Sequence, residues 1–314
     1  MENYNFIQKL LHDLILSNDF MKKAFYELDK FIYLKNKNYQ SEIHIFITSL
    51  PRSGTTALLN AFAESEELCS LKYKNMPFIT SPNISKIFKQ NEGVSKERYH
   101  KDGIKINSES PESFDEVFFS TYDEQDVIKE LENYISLVLI SSNKKRYLSK
   151  NNLNYKRIAL IKKIFPNSKF VITIREPLYH SFSLLNQHKN FTNLQNNNSF
   201  TKRYMNYLGH YEFGNNHRTW FAPQKYFDYN NINYWLEQWF LFYDNIIKNY
   251  KDDLSCTFLA YEDFDKTDKI NNLKKILNLD FNSHSLTNMN KKSLTIDFDS
   301  DLHSKCCKLY SILR

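Results

Sequence analysis

Glycine is the scarcest informative residue, with five in 314 where ordinary usage would give about 20. The survivors Gly54, Gly93, Gly103, Gly209 and Gly214 therefore point to places where a side chain is poorly tolerated. Cysteine is scarce too. Cys69, Cys256, Cys306 and Cys307 lack the spacing of a disulfide framework or a zinc ribbon, which predicts a reducing compartment. No segment approaches the ~20 apolar residues of a membrane helix. The N-terminal apolar stretch at residues 10–16 is interrupted by His12 and Asp13, so no transmembrane segment and no cleavable signal are expected, and the expected location is cytoplasmic. Charge of one sign is missing as well. The formal net charge of +6 is spread along the chain, which argues against nucleic acid as partner but leaves anionic ligands open. What the chain has in quantity is aromatic surface: 25 Phe, 21 Tyr and 3 Trp, enough to exclude disorder and support a sizeable core.

Hydrophobic periodicity predicts an N-terminal helical segment over residues 6–34, within a stretch reaching residue 40. A short β-branched strand follows at residues 43–48 (IHIFIT), then a tight loop, Pro51-Arg52-Ser53-Gly54-Thr55-Thr56, and a helix through Leu58, Leu59 and Phe62. Further along, residues 124–140 read as a helix, as do residues 158–165. KFVITI, Lys169–Ile174, reads as a second strand and leads through Arg175-Glu176-Pro177 into another helix. Residues 192–198 are expected to form a polar loop, Ile232–Tyr250 a helix and Cys256–Ala260 a third strand. Strand–loop–helix units of this kind predict an α/β class with a central, mostly parallel sheet flanked by helices in three layers. No linker or repeat interrupts the chain. A single domain over residues 1–314 is expected, with acceptor-side insertions at residues 72–111 and 190–231.

The loop after the first strand has what backbone anion binding requires. N–H groups point into the mouth of a helix whose dipole favours negative charge, and Ser53, Thr55 and Thr56 add hydroxyls. Gly54 lets the backbone approach a phosphate closely. A nucleoside-triphosphatase loop would carry Lys where Thr55 stands, and a carboxylate at a strand end for Mg²⁺. Here the second strand ends in Arg175. That pattern implies an extra phosphate bound by arginine, without a metal.

PRSGTT after a hydrophobic strand, with FVITIREPLYHSFSLL on a later strand–helix unit, resembles the two cofactor motifs of sulfotransferases that use 3′-phosphoadenosine 5′-phosphosulfate (PAPS). RYLSKN ahead of FPNSKFVITIREP, and LAYEDF near the end, are similar to the bacterial carbohydrate and tyrosylprotein branch. The similarity spans roughly residues 43–265 and implies a P-loop-like fold. It implies that Arg52, Ser53, Gly54, Thr55 and Thr56 bind the 5′-phosphosulfate, and that Arg175 and Ser183 bind the 3′-phosphate. It also places Lys150 near the transferring sulfuryl group, with Arg52 as its partner. The co-substrate implied is PAPS, with PAP as product and no metal.

A hydroxyl acceptor must lose a proton to a positioned base. Relatives carry Glu shortly after the first loop, whereas this chain has Leu71-Lys72-Tyr73-Lys74-Asn75-Met76 there. The candidates instead lie in residues 98–119: His100, Asp102, Glu112, Asp115 and Glu116, with Glu112 and His100 foremost. Ser110-Pro111 reads as N-cap and first residue of a helix carrying Glu112, Asp115 and Glu116 on one face. Acids in a first helical turn also serve the dipole, so that explanation stands beside the catalytic one. YLGHYEFGNNHRTWF, residues 207–221, offers aromatic faces among polar groups, as a saccharide requires, or a loop packed on the core by its aromatics. The function expected is sulfuryl transfer from PAPS to a hydroxyl of a polysaccharide or lipid-linked saccharide. The alternatives are a P-loop kinase or other NTPase and a non-catalytic nucleotide-binding module.

Overall fold

The computed structural model describes residues 6–34, 39, 42–88, 96–97, 105–284, 286 and 294–314. In chain order the elements are α1 (Phe6–Leu16), α2 (Asp19–Tyr33), β1 (Ile45–Thr48), α3 (Thr55–Ala63), β2 (Leu68–Cys69), β3 (Lys96–Glu97) and β4 (Lys105–Ile106). They continue with α4 (Glu116–Thr121), α5 (Glu124–Ser142), β5 (Arg146–Lys150), α6 (Ile158–Ile164), β6 (Lys169–Ile174) and α7 (Pro177–Asn197). The last are α8 (Ser199–Tyr207), α9 (Ile232–Tyr250), β7 (Cys256–Ala260), α10 (Thr267–Leu277) and α11 (Ser300–Leu313).

Five strands form one parallel sheet in the order β2-β5-β1-β6-β7, and β3 pairs antiparallel with β4 apart from it. Strands buried on both faces read as near-continuous apolar runs, which is why IFIT and KFVITI were legible. Alternate side chains divide between two cores. Ile45, Ile47, Val171 and Leu259 join Leu58, Leu59 and Phe62 of α3 and Leu273 and Leu277 of α10. Phe46, Phe170 and Ile172 face the larger, aromatic core with Leu131 and Ile135 of α5, Ile158 of α6, and Trp235, Trp239 and Phe242 of α9. The result is the expected P-loop-like three-layer α/β fold. After β5 on one side of β1 the chain crosses to β6 on the other, so the order reverses at the carboxyl end of β1. Ligands of open α/β sheets bind at such crevices. Among the described residues, no helix is long and apolar enough to cross a membrane.

Three local expectations are corrected. Residues 192–197 continue α7 rather than forming a loop, because His188, Phe191 and Gln195 are buried at helical spacing on its inner face. No helix starts at Ser110-Pro111. Pro111 bridges Lys72 in an isolated antiparallel pair and the Glu112 N–H donates to Leu71 O (3.1 Å), so the backbone there is tied to the sheet's edge. Helix α4 begins only at Glu116, with Asp115 as its N-cap residue, and Glu112 therefore does not share a helical face with Asp115 and Glu116. Sequence periodicity also missed β5, a fully buried strand despite cations at both ends. Arg146 is buried there by Glu67 (2.6 Å) and by the carbonyls of Ile43, Leu277 and Asn278 (2.8–2.9 Å).

Candidate active site

The loop between β1 and α3 turns through two left-handed residues, Arg52 (φ 70°) and Gly54 (φ 92°). A Cβ at Gly54 would lie 2.7 Å from Phe264 and 2.8 Å from Tyr261, so the rings of LAYEDF close over the loop where only glycine fits. Thr55 and Thr56 open α3, whose first N–H groups have no partner within the helix. The Ser53 hydroxyl turns inward instead, donating to Leu50 O (2.7 Å) and meeting Thr173 Oγ1 (2.6 Å). Sequence reasoning assigned nothing to His180, which lies fully buried beneath the loop with Nε2 2.8 Å from Pro51 O. Burial lowers its pKa against that hydrogen bond, and the charges of Arg175 and Arg52 lower it further, to about 3. The ring is therefore neutral, and a carbonyl partner requires Nε2 to carry the proton. Its signal was present in REPLYHS, as a histidine one turn into the helix after the second strand.

Arg175 and Ser183 reach the same loop from β6 and α7. Arg175 donates to Arg52 O (2.9 Å) and stacks over Tyr261 (4.8 Å to the ring centre), while Arg52 Nε donates to Ser183 Oγ (3.3 Å). Among the described residues no carboxylate pairs with Arg175. Pro177 at the first helical position and the Glu176 side chain, accepting from Tyr179 N (2.8 Å), fix the start of α7. Trp239 Nε1 donates to Arg175 O (3.2 Å), and Tyr243 OH joins Ser49 Oγ (2.8 Å) to Thr173 O (2.9 Å). Helix α9 thus holds both strand ends from below.

Lys150 ends β5, paired in register with Ile47 of β1, and is buried. Two carboxylates clamp the residues that follow it. Glu116 takes Asn151 Nδ2 (2.8 Å) and both guanidinium nitrogens of Arg157 (2.8 Å each), and Glu212 takes Asn152 Nδ2 (3.1 Å). Thr48 Oγ1, donating to Asn152 O (3.2 Å), joins this turn to the end of β1. Gly209 (φ 70°) lies where a Cβ would stand 2.6 Å from Glu116 Cγ, so the segment after α8 rests on the first clamp.

Of the five candidate bases, His100 and Asp102 lie outside the described residues. Asp115 is buried and accepts from Tyr147 OH, Ser149 Oγ (2.5 Å) and Tyr134 OH (3.3 Å). Burial raises its carboxyl, and these hydrogen bonds oppose the rise. Glu116 is the clamp just described. Glu112 is half-buried at the sheet's edge, accepting from Tyr73 OH (2.9 Å) and Ser113 N (2.8 Å). Sequence reasoning did not single out a further pair, His210 Nδ1 and Glu212 Oε2, 3.6 Å apart. Burial would raise Glu212, but hydrogen bonding and charge from His210, with Asn152, hold it at about 2.

Residues 207–221 divide into two parts. Phe213 and Trp220 are buried, half-buried His217 has Nε2 2.6 Å from Tyr234 OH, and desolvation lowers the His217 pKa to about 4. Tyr211 is half-exposed and Arg218 exposed, the guanidinium 3.9 Å from the ring centre.

A family model described as "Sulfotransferase family" matches residues 44–229. No curated protein matches the chain in sequence. Among solved structures, sulfotransferase STF1 of Mycobacterium tuberculosis H37Rv superposes with a TM-score of 0.51 at 12% identity, covering 90% of this chain and 80% of that one. Sulfotransferase STF9 of Mycobacterium avium gives 0.45 at 11% identity, covering 94% and 74%. The likeness to STF1 supports the fold.

Proposed function

We propose, on the premise that the chain belongs to the PAPS-dependent sulfotransferase family, that it transfers the sulfuryl group of PAPS to a saccharide hydroxyl by in-line displacement without a metal in the transfer step. The observation that carries this is the meeting of two arginine loops far apart in sequence, Arg175 on Arg52 O and Arg52 on Ser183, at the carboxyl end of β1. Two cations brought together beside a helix N-terminus suit a ligand with two separate phosphate groups. In this reading the N–H groups of Gly54, Thr55 and Thr56 hold the 5′-phosphosulfate, with Ser53 contributing its backbone, and Arg175 and Ser183 take the 3′-phosphate. As the bond from sulfur to the bridging oxygen breaks, negative charge grows on that oxygen. Arg52 and Lys150 stabilise it.

The acceptor proton goes to a base. His210, oriented by Glu212, is favoured because Asn152, two residues beyond Lys150, anchors Glu212. Glu112 and His100 are the other candidates. The solvent-accessible Tyr211–Arg218 pair beside His210 supports a saccharide acceptor, with a ring face and hydrogen-bond donors together. A cytoplasmic location and a single domain with acceptor-side insertions belong to the same reading. The test is incubation with PAPS and a panel of saccharides and phenols, following PAP release and product mass. Sulfated saccharide is expected. Transfer confined to phenols would overturn the acceptor class, and transfer to none of the panel would overturn the acceptor assignment altogether.

A further inference from the structure

We propose that Glu176, His303 and Cys307 form a binding site for Zn²⁺ where α11 packs against the start of α7. His303 and Cys307 stand one turn apart on α11, with His303 Nε2 3.4 Å from Cys307 Sγ and 3.6 Å from Glu176 Oε1. All three donor atoms lie within 4.8 Å of one another. An ion about 2.3 Å from sulfur and about 2.0–2.1 Å from nitrogen and oxygen sets tetrahedral edges of about 3.6 Å for S–N and about 3.3 Å for N–O. The S–N and N–O separations are within a few tenths of an ångström of these edges, and the Glu176 carboxylate and Cys307 Sγ, within 4.8 Å, would draw together to about 3.6 Å as the ion binds. Thiolate, imidazole and carboxylate together select zinc over magnesium or calcium, and thiolate plus carboxylate neutralise its charge.

Outer contacts hold the ligands in place. The other Glu176 oxygen accepts from Tyr179 N, and the Glu176 N–H donates to Glu262 Oε1 (3.0 Å). Cys306 is turned into the core, donating to Leu236 O (3.6 Å), which leaves Cys307 as the sulfur on this face. All three ligands are half-buried, so a water can complete the coordination. Burial and the Glu176 carboxylate raise the Cys307 thiol, so it is protonated at neutral pH and gives up its proton as the ion binds. A His303–Glu176 pair without an ion would account for two of the three side chains. There Cys307 makes only a hydrogen bond to His303 Nε2, whereas the ion takes its thiolate, and at that sulfur the two accounts divide. The ion would hold α11 to the turn that carries Arg175 and take no part in transfer.

The experiment is titration of the reduced, tag-free chain with Co²⁺ as a spectroscopic probe, followed by displacement with Zn²⁺. A thiolate-to-cobalt charge-transfer band saturating at one ion per chain and erased by Zn²⁺ is expected. Cys307→Ser should lose the band, Cys256→Ser should keep it, and His303→Gln, which retains every thiol, should weaken binding at least tenfold. Thermal melting followed by circular dichroism checks that each variant folds. Absence of the band overturns the proposal, as does its survival in Cys307→Ser, full affinity in His303→Gln, or loss in Cys256→Ser.

Discussion

Residues 50–54 and residues 208–231 both border the carboxyl end of the sheet, yet different forces give them shape. The β1–α3 loop is set by its own backbone and by contacts to β6 and the first turn of α7: left-handed Arg52 and Gly54, His180 under Pro51, Ser53 on Leu50 and Thr173. Residues 208–231 are set by side chains of the helix that follows them. Glu237 of α9 accepts from the N–H groups of Gln224, Lys225 and Tyr226 (2.9–3.3 Å), and Gln238 accepts from Trp220 and Phe221 (3.1 Å each). A site built on backbone at strand ends carries a compact motif. One built on side-chain carboxylates and amides does not.

The largest effect that would sharpen this contrast is on the acceptor side. His210→Ala should lower kcat on the order of 10²–10⁴-fold, as loss of a general base does, with PAP affinity unchanged. Glu112→Gln should cost less than about threefold, the scale of an edge contact rather than a base. Steady-state kinetics with PAPS and an active acceptor reads both. The reverse pattern would return the base to Glu112.

Next is Lys150→Ala. Removing a cation aimed at the leaving oxygen should lower single-turnover rates about 10²–10³-fold while PAP binds within a few-fold of the parent. Equal losses in rate and PAP affinity would make Lys150 a donor-binding residue instead.

The smallest effect ignores the contrast. His180, buried under the β1–α3 loop, and His217, half-buried in the segment after α8, are both lowered by desolvation, to about 3 and about 4. His44, at the foot of the sheet, is lowered by burial to about 4. Unfolded histidine titrates near ~6.5, so below that pH the unfolded chain binds protons that the folded chain refuses. Stability is complete above about pH 6.5 and falls as pH drops toward the folded values, by up to about 1.4 kcal/mol per pH unit for each histidine. Differential calorimetry between neutral pH and pH 5 should show Tm declining. His180→Asn and His217→Asn should flatten the decline equally, and a flat profile in the parent would contradict the desolvation of both rings.

The β1–α3 and β6–α7 units were legible because their residues are contiguous with strong patterns: an apolar strand, a turn, then a helix, twice over. Expected and observed boundaries coincide for β6, α9 and β7. What failed depended on partners elsewhere. The strand RYLSK hides behind Arg146, whose burial is possible only because Glu67 and carbonyls from α10's end reach it. The Ser110-Pro111 signal for a helix lost to pairing of Pro111 and Glu112 with residues 71–72. The asparagine-rich end of α7 looked like a loop because polar residues outnumber the few buried ones that hold it. His210 and Glu212 lie within the aromatic and polar stretch 207–221, but only the fold brings Asn152 to Glu212.

The central claim is that two arginine loops converge to bind a nucleotide with a phosphate at each end. Calorimetric titration of PAP beside ADP, with and without Mg²⁺, in the parent and in Arg175→Ala tests it most directly. The account predicts Mg²⁺-indifferent PAP binding that weakens about 10–100-fold in Arg175→Ala, the scale of losing a charged hydrogen-bond partner, with ADP affected far less. Equal weakening of PAP and ADP, or ADP binding that needs Mg²⁺ and outcompetes PAP, would contradict it.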